Sequence, residues 1–214
     1  MSESDIQVSP QHIFNFSGDH LSLNFTNTLN DRLTERPIEY LNSYADLLAW
    51  SIQSQIISRE QASQLQEKAQ RHPEQAEWVM ERAIEIRELI ERIFLASAQG
   101  LVPVEEDLKL LGEEFAKAMA KGRLIFSGKN CSWEWPNTGE ELEVMLWFTV
   151  RAAVELLTSK ELSKVRACAA EDCNWLFLDT SKNHSRRWCD MKSCGNRDKV
   201  RKFYQRGRKG EEHE

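Results

Sequence analysis

Cys168, Cys173, Cys189 and Cys194 fall within twenty-seven residues, as two pairs of x4 spacing separated by fifteen residues. Four cysteines in matched pairs are the ligand set of structural zinc, which is tetrahedral and leaves no open position for chemistry. A segment of some fifty residues has too little core to hold itself together. Zinc binding, at roughly 10 to 16 kcal/mol, supplies the missing folding energy. The expectation is one structural Zn2+ held by four thiolates, with a module that unfolds without it. A closed metal site directs attention to recognition and away from catalysis.

The chain has 214 residues and a formal charge of −6, unevenly distributed. Residues 160–210 hold fourteen Lys/Arg against six Asp/Glu, a net of +8, and the tail with Glu211, Glu212 and Glu214 adds −3. Residues 1–159 therefore carry −11. This asymmetry divides the chain into an acidic body over 1–160, a basic module over 161–210 and an acidic tail over 211–214. With 41% hydrophobic and 29% charged residues, and no apolar run near the roughly 20 residues of a membrane span, no membrane partner is expected. Met1 to Ser9 has neither the basic nor the apolar stretch of a secretory signal. A cytoplasmic location follows, where thiols stay reduced and paired cysteines hold metal.

The body reads as α+β, mostly helical with short hairpins. Ile13-Phe14-Asn15-Phe16 and Leu21-Ser22-Leu23-Asn24-Phe25, around Gly18, alternate like two short strands. Leu41, Tyr44, Leu47, Leu48 and Ile52 predict a helix from Tyr40. Ser58 with Gln61 is a capping box for a second helix, to about Arg71. Pro73 suits the first turn of a third, running to Gln99 and stopped by Gly100. A fourth follows Pro103 and ends near Gly122. Residues 124–126 and 131–135 predict a hairpin, with Cys131 packed in the core beside Trp133 and Trp135. Thr138 with Glu141 would cap a last helix, to about Thr158.

In the basic module, Asn174 to Asp179, a polar turn containing His184, and Arg186-Arg187-Trp188 predict a hairpin between the cysteine pairs. A knuckle, a hairpin and a helix bearing the second ligand pair make a treble-clef-like finger. From Gly195 a helix can run to about Arg206. Its apolar stripe Val200, Phe203 and Tyr204 would dock on Trp175 and Phe177. Arg197, Lys199, Arg201, Lys202, Arg206 and Arg208, joined by Arg186 and Arg187, would then face outward toward a phosphate backbone. Six to eight such contacts would weaken binding roughly 10³- to 10⁵-fold between about 50 and 200 mM salt.

The C-terminal module resembles the CGNR zinc fingers, through Cys168-x4-Cys173, Trp175 to Ser181, Arg186-Arg187-Trp188-Cys189 and Cys194-Gly195-Asn196-Arg197 with Lys199. The body resembles, more loosely, the ABATE domain that accompanies this finger, through Gly18, Leu21-x-Leu23-Asn24-Phe25-x-Asn27-Thr28 and Arg32. The family pattern has an aspartate where this chain has Asn24. The resemblance implies zinc binding by the four cysteines and DNA-bound transcriptional control under stress. Fold resemblance alone does not establish function.

The body would then sense a signal or mediate dimerisation, since one small reader needs added affinity or symmetry. Asn24, Asn27, Thr28 and Arg32 are candidates to line a pocket for an unidentified small molecule, although such residues also cap helices and satisfy buried backbone. Two other classes stay open: a finger that binds RNA or an acidic protein, and an enzyme with its site in the body. For the latter, Asp19-His20 lacks the partner nucleophile of a catalytic set, and the expectation is a non-enzyme.

Overall fold

The structure, a computed structural model, describes residues 12–136 and 138–211, with residues 206–211 described as helix backbone only. The elements run α1 (Leu21–Thr26), β1 (Leu29–Asn30), β2 (Ile38–Glu39), α2 (Tyr44–Gln53), α3 (Arg59–Arg71), α4 (Pro73–Ala98), α5 (Glu105–Ala120), β3 (Arg123–Ser127), β4 (Asn130–Glu134), α6 (Val144–Leu157), β5 (Val165–Ala167), β6 (Leu176–Leu178) and α7 (Asn196–Glu211). The strands form three separate antiparallel pairs, β1 with β2, β3 with β4 and β5 with β6.

The long α4 is the spine. At 1.5 Å per residue its 26 residues span about 39 Å, and Val79, Ala83, Ile86, Ile90, Ile93 and Phe94 give one fully buried face. His72 and Pro73 begin it as expected, with Pro73 in the first turn where a missing N–H costs nothing. Gly100, at φ +73°, follows its end. The box at Ser58 and Gln61 is complete, each side chain bonded to the other's backbone N–H. The β3–β4 hairpin forms in the expected place, Ser127 opposite Asn130.

Four expectations are corrected. Leu21–Phe25 is helix α1 and Ile13–Phe16 is an irregular segment, so neither is a strand, and Ser22 to Thr26 are all buried. Helix α1 lies between α4, α6 and β6, so its polar residues also face protein, and their alternation with apolar ones has nothing to do with a solvent face. Helix α2 starts at Tyr44, because Ser43 accepts the Asp46 N–H and caps it there. Helix α6 starts at Val144, because the Thr138 hydroxyl is taken by the Gln61 amide instead of a helix end. Cys131 is exposed. It pairs across the hairpin with Phe126, itself 74% exposed, so the tip projects while Trp135 at the base donates Nε1–H to the Ala118 carbonyl, 2.8 Å.

The charge boundary near Lys160 is not a packing boundary. Val165, Leu176 and Leu178 belong to the same buried cluster as Leu23, Phe25, Trp50 and Ile90. The β5–β6 pair is therefore part of the body's core, and it presents its connecting turn to the metal site.

Candidate metal centre and basic helix

The turn joining β5 to β6 carries the first cysteine pair. The Cys168 N–H donates to the Trp175 carbonyl (2.8 Å) and the Cys173 N–H to the Ala170 carbonyl (3.2 Å). Asn174, at φ +61°, supplies the left-handed step that returns the chain into β6. Cys189 precedes and Cys194 lies within a turn of π-helix, Met191–Gly195, begun by Asp190, whose carboxylate accepts the Lys192 N–H. Cys194 thus sits just ahead of α7, and Gly195 is buried against Met191, where a side chain would meet the thioether.

All four sulfurs lie within 4.8 Å of one another, and every one of these cysteines is buried. Cys189 Sγ is 3.7 Å from Cys173 Sγ and 3.6 Å from Cys194 Sγ. A tetrahedron with Zn–S near 2.3 Å requires sulfurs about 3.8 Å apart, so the thiols stand where one zinc ion would hold them. Crowding supports the same fit: four buried thiolates this close to one another need a cation. Outer contacts assist it: the Cys189 N–H points at Cys168 Sγ (3.4 Å) and Arg197 Nη2 at Cys194 Sγ (3.3 Å), both offsetting the negative charge of a four-thiolate site.

The hairpin expected between the cysteine pairs is not formed. Strand β6 pairs backward with β5, Val165 opposite Leu178, and residues 179–188 are a loop tied by Asp179. That side chain is fully buried and accepts from Ser181 N–H (3.0 Å), Ser181 hydroxyl (2.6 Å) and Arg186 N–H (3.1 Å). His184 is exposed, at φ +48°. The Arg187 carbonyl accepts the Ala169 N–H (2.8 Å), and the Arg187 guanidinium lies 5.3 Å from the centre of the Trp188 ring.

The expected basic arc separates into two sets. Arg186 is built into the protein: it lies 4.4 Å over the Phe177 ring, pairs with Asp19, and donates to the carbonyls of Ser17 (2.7 Å), Trp188 (3.0 Å) and Cys189. Arg197 pairs with Asp172 (3.3 Å), Arg201 with Glu171 and Asp172, and Lys202 with Asp198 (2.7 Å). Among the described residues, Lys182, Arg187, Lys192 and Lys199 are exposed and carry no salt bridge. The side chains of Arg206 and Arg208 lie outside the described residues, as does the tail from residue 212.

The docking expected of α7 is also corrected. Val200, Phe203 and Tyr204 are 55%, 75% and 68% exposed. Phe177 is already covered by Arg186, and Trp175 is buried against the body with its Nε1–H on the Leu29 carbonyl, 3.0 Å. Neither ring has a face left for the helix.

Asn24, Asn27, Thr28 and Arg32 are engaged by the chain itself. Asn24 Oδ1 accepts the Gly18 N–H (2.9 Å), and a Cβ on Gly18 would stand 2.7 Å from that oxygen. Asn27 grips β6 like a strand, donating to the Leu176 carbonyl (2.9 Å) and accepting its N–H (3.0 Å). Thr28 donates to the Phe25 carbonyl and accepts from Arg87, and Arg32 binds Glu88 and the Thr26 carbonyl. These residues join α1 and the strap after it to α4 and β6. A groove of about 460 Å³ runs along α4 and α5, lined by Ile86, Leu89 and Leu110 with Arg82, Arg92, Glu114 and Glu88, the partner of Arg32.

Sequence reasoning missed Asp179 and Arg186 as structural anchors, and for Asn27 it gave the backbone-satisfying role without the partner strand. The partners of Asn27, Asp179 and Arg186 are 149, 2 to 7 and 167 residues away, and only the Asp179–Ser181 step, an Asx-type turn, leaves a local signal.

A helical body completed by a hairpin, with a buried four-cysteine site just ahead of a basic helix, defines a zinc-finger protein. Two family models match it. Residues 164–207 match the CGNR zinc finger, and residues 19–160 match the ABATE model, whose description is "Putative stress-induced transcription regulator". The chain belongs to the ABATE family, with a CGNR finger at its C-terminal end. No curated protein matches it. No helix among the described residues is long and apolar enough to cross a membrane.

Proposed function

We propose that this protein is a DNA-binding transcription regulator and not an enzyme, with a zinc-held knuckle aiming α7 at duplex DNA. The carrying observation is that α7 leaves the metal site with its inner cations spent on Glu171 and Asp172, while Lys192, Lys199 and Arg187 remain exposed around its start. Internal pairing orients the helix, and the unpaired cations meet phosphate. Zinc shapes the knuckle and takes no part in contacts. Family membership supports the regulatory reading.

With Lys182 included, the four unpaired cations among the described side chains contribute about −3.6 to the log–log salt slope, or about a hundredfold loss between about 50 and 200 mM salt. A single helix covers few base pairs, so a homodimer on paired half-sites supplies the needed affinity. The acidic body is then the dimerising or signal-receiving part, and the cytoplasm its place of action. Asn24, Asn27, Thr28 and Arg32 spend their polar groups on internal bonds, which favours a structural role for them in the body.

The test is selection of bound sequences from random duplex DNA by the zinc-loaded full chain at two salt concentrations. An enriched motif is expected, with Lys192→Ala and Arg187→Ala each weakening binding to all duplexes and lowering the salt slope by about one. No enrichment, with binding indifferent to both substitutions, defeats the proposal.

A further inference from the structure

The unpartnered side of α7 is specific in composition. At 100° per residue, Asn196, Lys199, Val200 and Phe203 fall within an arc of about 100°, away from the side where Arg197 and Arg201 meet the knuckle. All four are exposed, Val200 by 55% and Phe203 by 75%. No carboxylate lies on the arc: Asp198 is on another side of the helix, paired with Lys202. Lys192, exposed one turn earlier, extends the positive edge. An amide, an ammonium and two apolar side chains thus share one face of a helix whose charged neighbours point elsewhere.

We infer that this arc is the base-reading face of α7, fitted to the major groove of a duplex site containing thymine and adenine. The inference rests on the duplex-binding reading and adds which residues carry sequence information. An Asn amide can bond adenine N6 and N7 together, a lysine is drawn to guanine O6 and N7, and apolar side chains pack on the thymine C5 methyl. Asn196 now donates Nδ2–H to the Lys192 carbonyl (3.0 Å), which holds the amide at the start of the arc. From Asn196 to Phe203 the helix rises about 10 Å, the length of about three base pairs at 3.4 Å each.

A second copy of the chain fits the face less well. One aromatic ring at roughly 150–250 Å², with one valine, buries less than about 400 Å² per copy even when wholly covered, so a symmetric contact totals less than about 800 Å². That is below the roughly 1,200 Å² of stable interfaces, and it sets Lys199 against its own kind. DNA offers both the methyl groups and the opposite charge.

The experiment measures binding of the zinc-loaded full chain to its selected duplex and to the same duplex with thymines replaced by deoxyuracil, which removes only the C5 methyl. Wild type should lose about fourfold per contacted methyl. The Val200→Ala/Phe203→Ala chain should bind the thymine duplex more weakly and no longer distinguish the two. Asn196→Ala should relax the preference at an adenine position by about fivefold or more. Zinc content and affinity for unrelated duplex should stay within about twofold, which separates lost readout from lost folding. A selected motif read equally well by all variants, with methyl discrimination intact, overturns the reading face and leaves duplex binding standing. No duplex binding at all overturns both. A dimer that Phe203→Ala dissociates, with DNA affinity unchanged, gives the face to a second copy and overturns it as well.

Discussion

Asp179 is fully buried at the end of β6, and three donors converge on its carboxylate. Burial alone would raise its pKa, but the Ser181 hydroxyl and the Ser181 and Arg186 N–H groups outweigh it and leave the pKa below the usual 3.8. A carboxylate whose folded pKa is depressed adds stability that is present above its unfolded pKa and lost as pH falls through the folded value. Asp179→Asn should therefore lower stability by a similar amount at pH 7 and at about pH 5.5, both above the folded pKa and both within the range where the thiolate site keeps its zinc, read as denaturation midpoints of the zinc-loaded chain. A gap that closes already at about pH 5.5 would show that this carboxylate's charge is not what the loop uses. The sequence could reveal this residue only in part. Asp179-Thr180-Ser181 reads as a turn, whereas the Arg186 guanidinium that follows reads as a phosphate contact, because nothing local signals that Asp19 and the Ser17 carbonyl wait for it. The cysteines were legible because a metal site writes its geometry into spacing.

Among the elements, those with chemical signals at their ends stand where the sequence puts them. Helix α3 is bounded by the Ser58 and Gln61 exchange, α4 by Pro73 and Gly100. Ser58→Ala removes one of two reciprocal bonds and should cost about 1 kcal/mol, seen as a lower urea midpoint with unchanged m-value. No loss would mean that packing of Ala62, Leu65 and Ala69 holds the first turn by itself. Elements without a solvent face were misread. Helix α1 is six residues long, and Leu23, Asn24, Phe25 and Thr26 are all at least nine-tenths buried; with no exposed side it displays neither a 3.6 nor a 2.0 period. Helix α7 is the converse case. Its stripe obeys helical spacing, yet Val200 and Phe203 face solvent, because periodicity marks a face and says nothing about what covers it.

For the whole molecule, the decisive fact is where the metal site is attached. The turn bearing Cys168 and Cys173 springs from β5 and β6, whose Val165, Leu176 and Leu178 are buried with α1, α2 and α4. Asn27 bonds Leu176 on both backbone groups, Leu178 N–H reaches the Gly18 carbonyl (2.9 Å), and Trp175 caps Leu29. Family models divide the chain between residues 160 and 164, and charge divides it there too, but packing ties both parts together. Zinc that holds the knuckle should then also stabilise the body. Chelation, or Cys189→Ser, should shift one common thermal transition down by about 10 °C or more, with the near-ultraviolet signal of buried Trp50 lost together with that of Trp175 and Trp188. Truncation after residue 160 should yield a chain without fixed aromatic packing, since it removes three side chains from the core and leaves Asn27 without its strand. Two separate transitions, the higher unmoved by chelation, would instead make the finger an independent module. A single transition makes metal occupancy a condition for folding of the body, so that whatever the body binds and whatever α7 reads depend on the same ion.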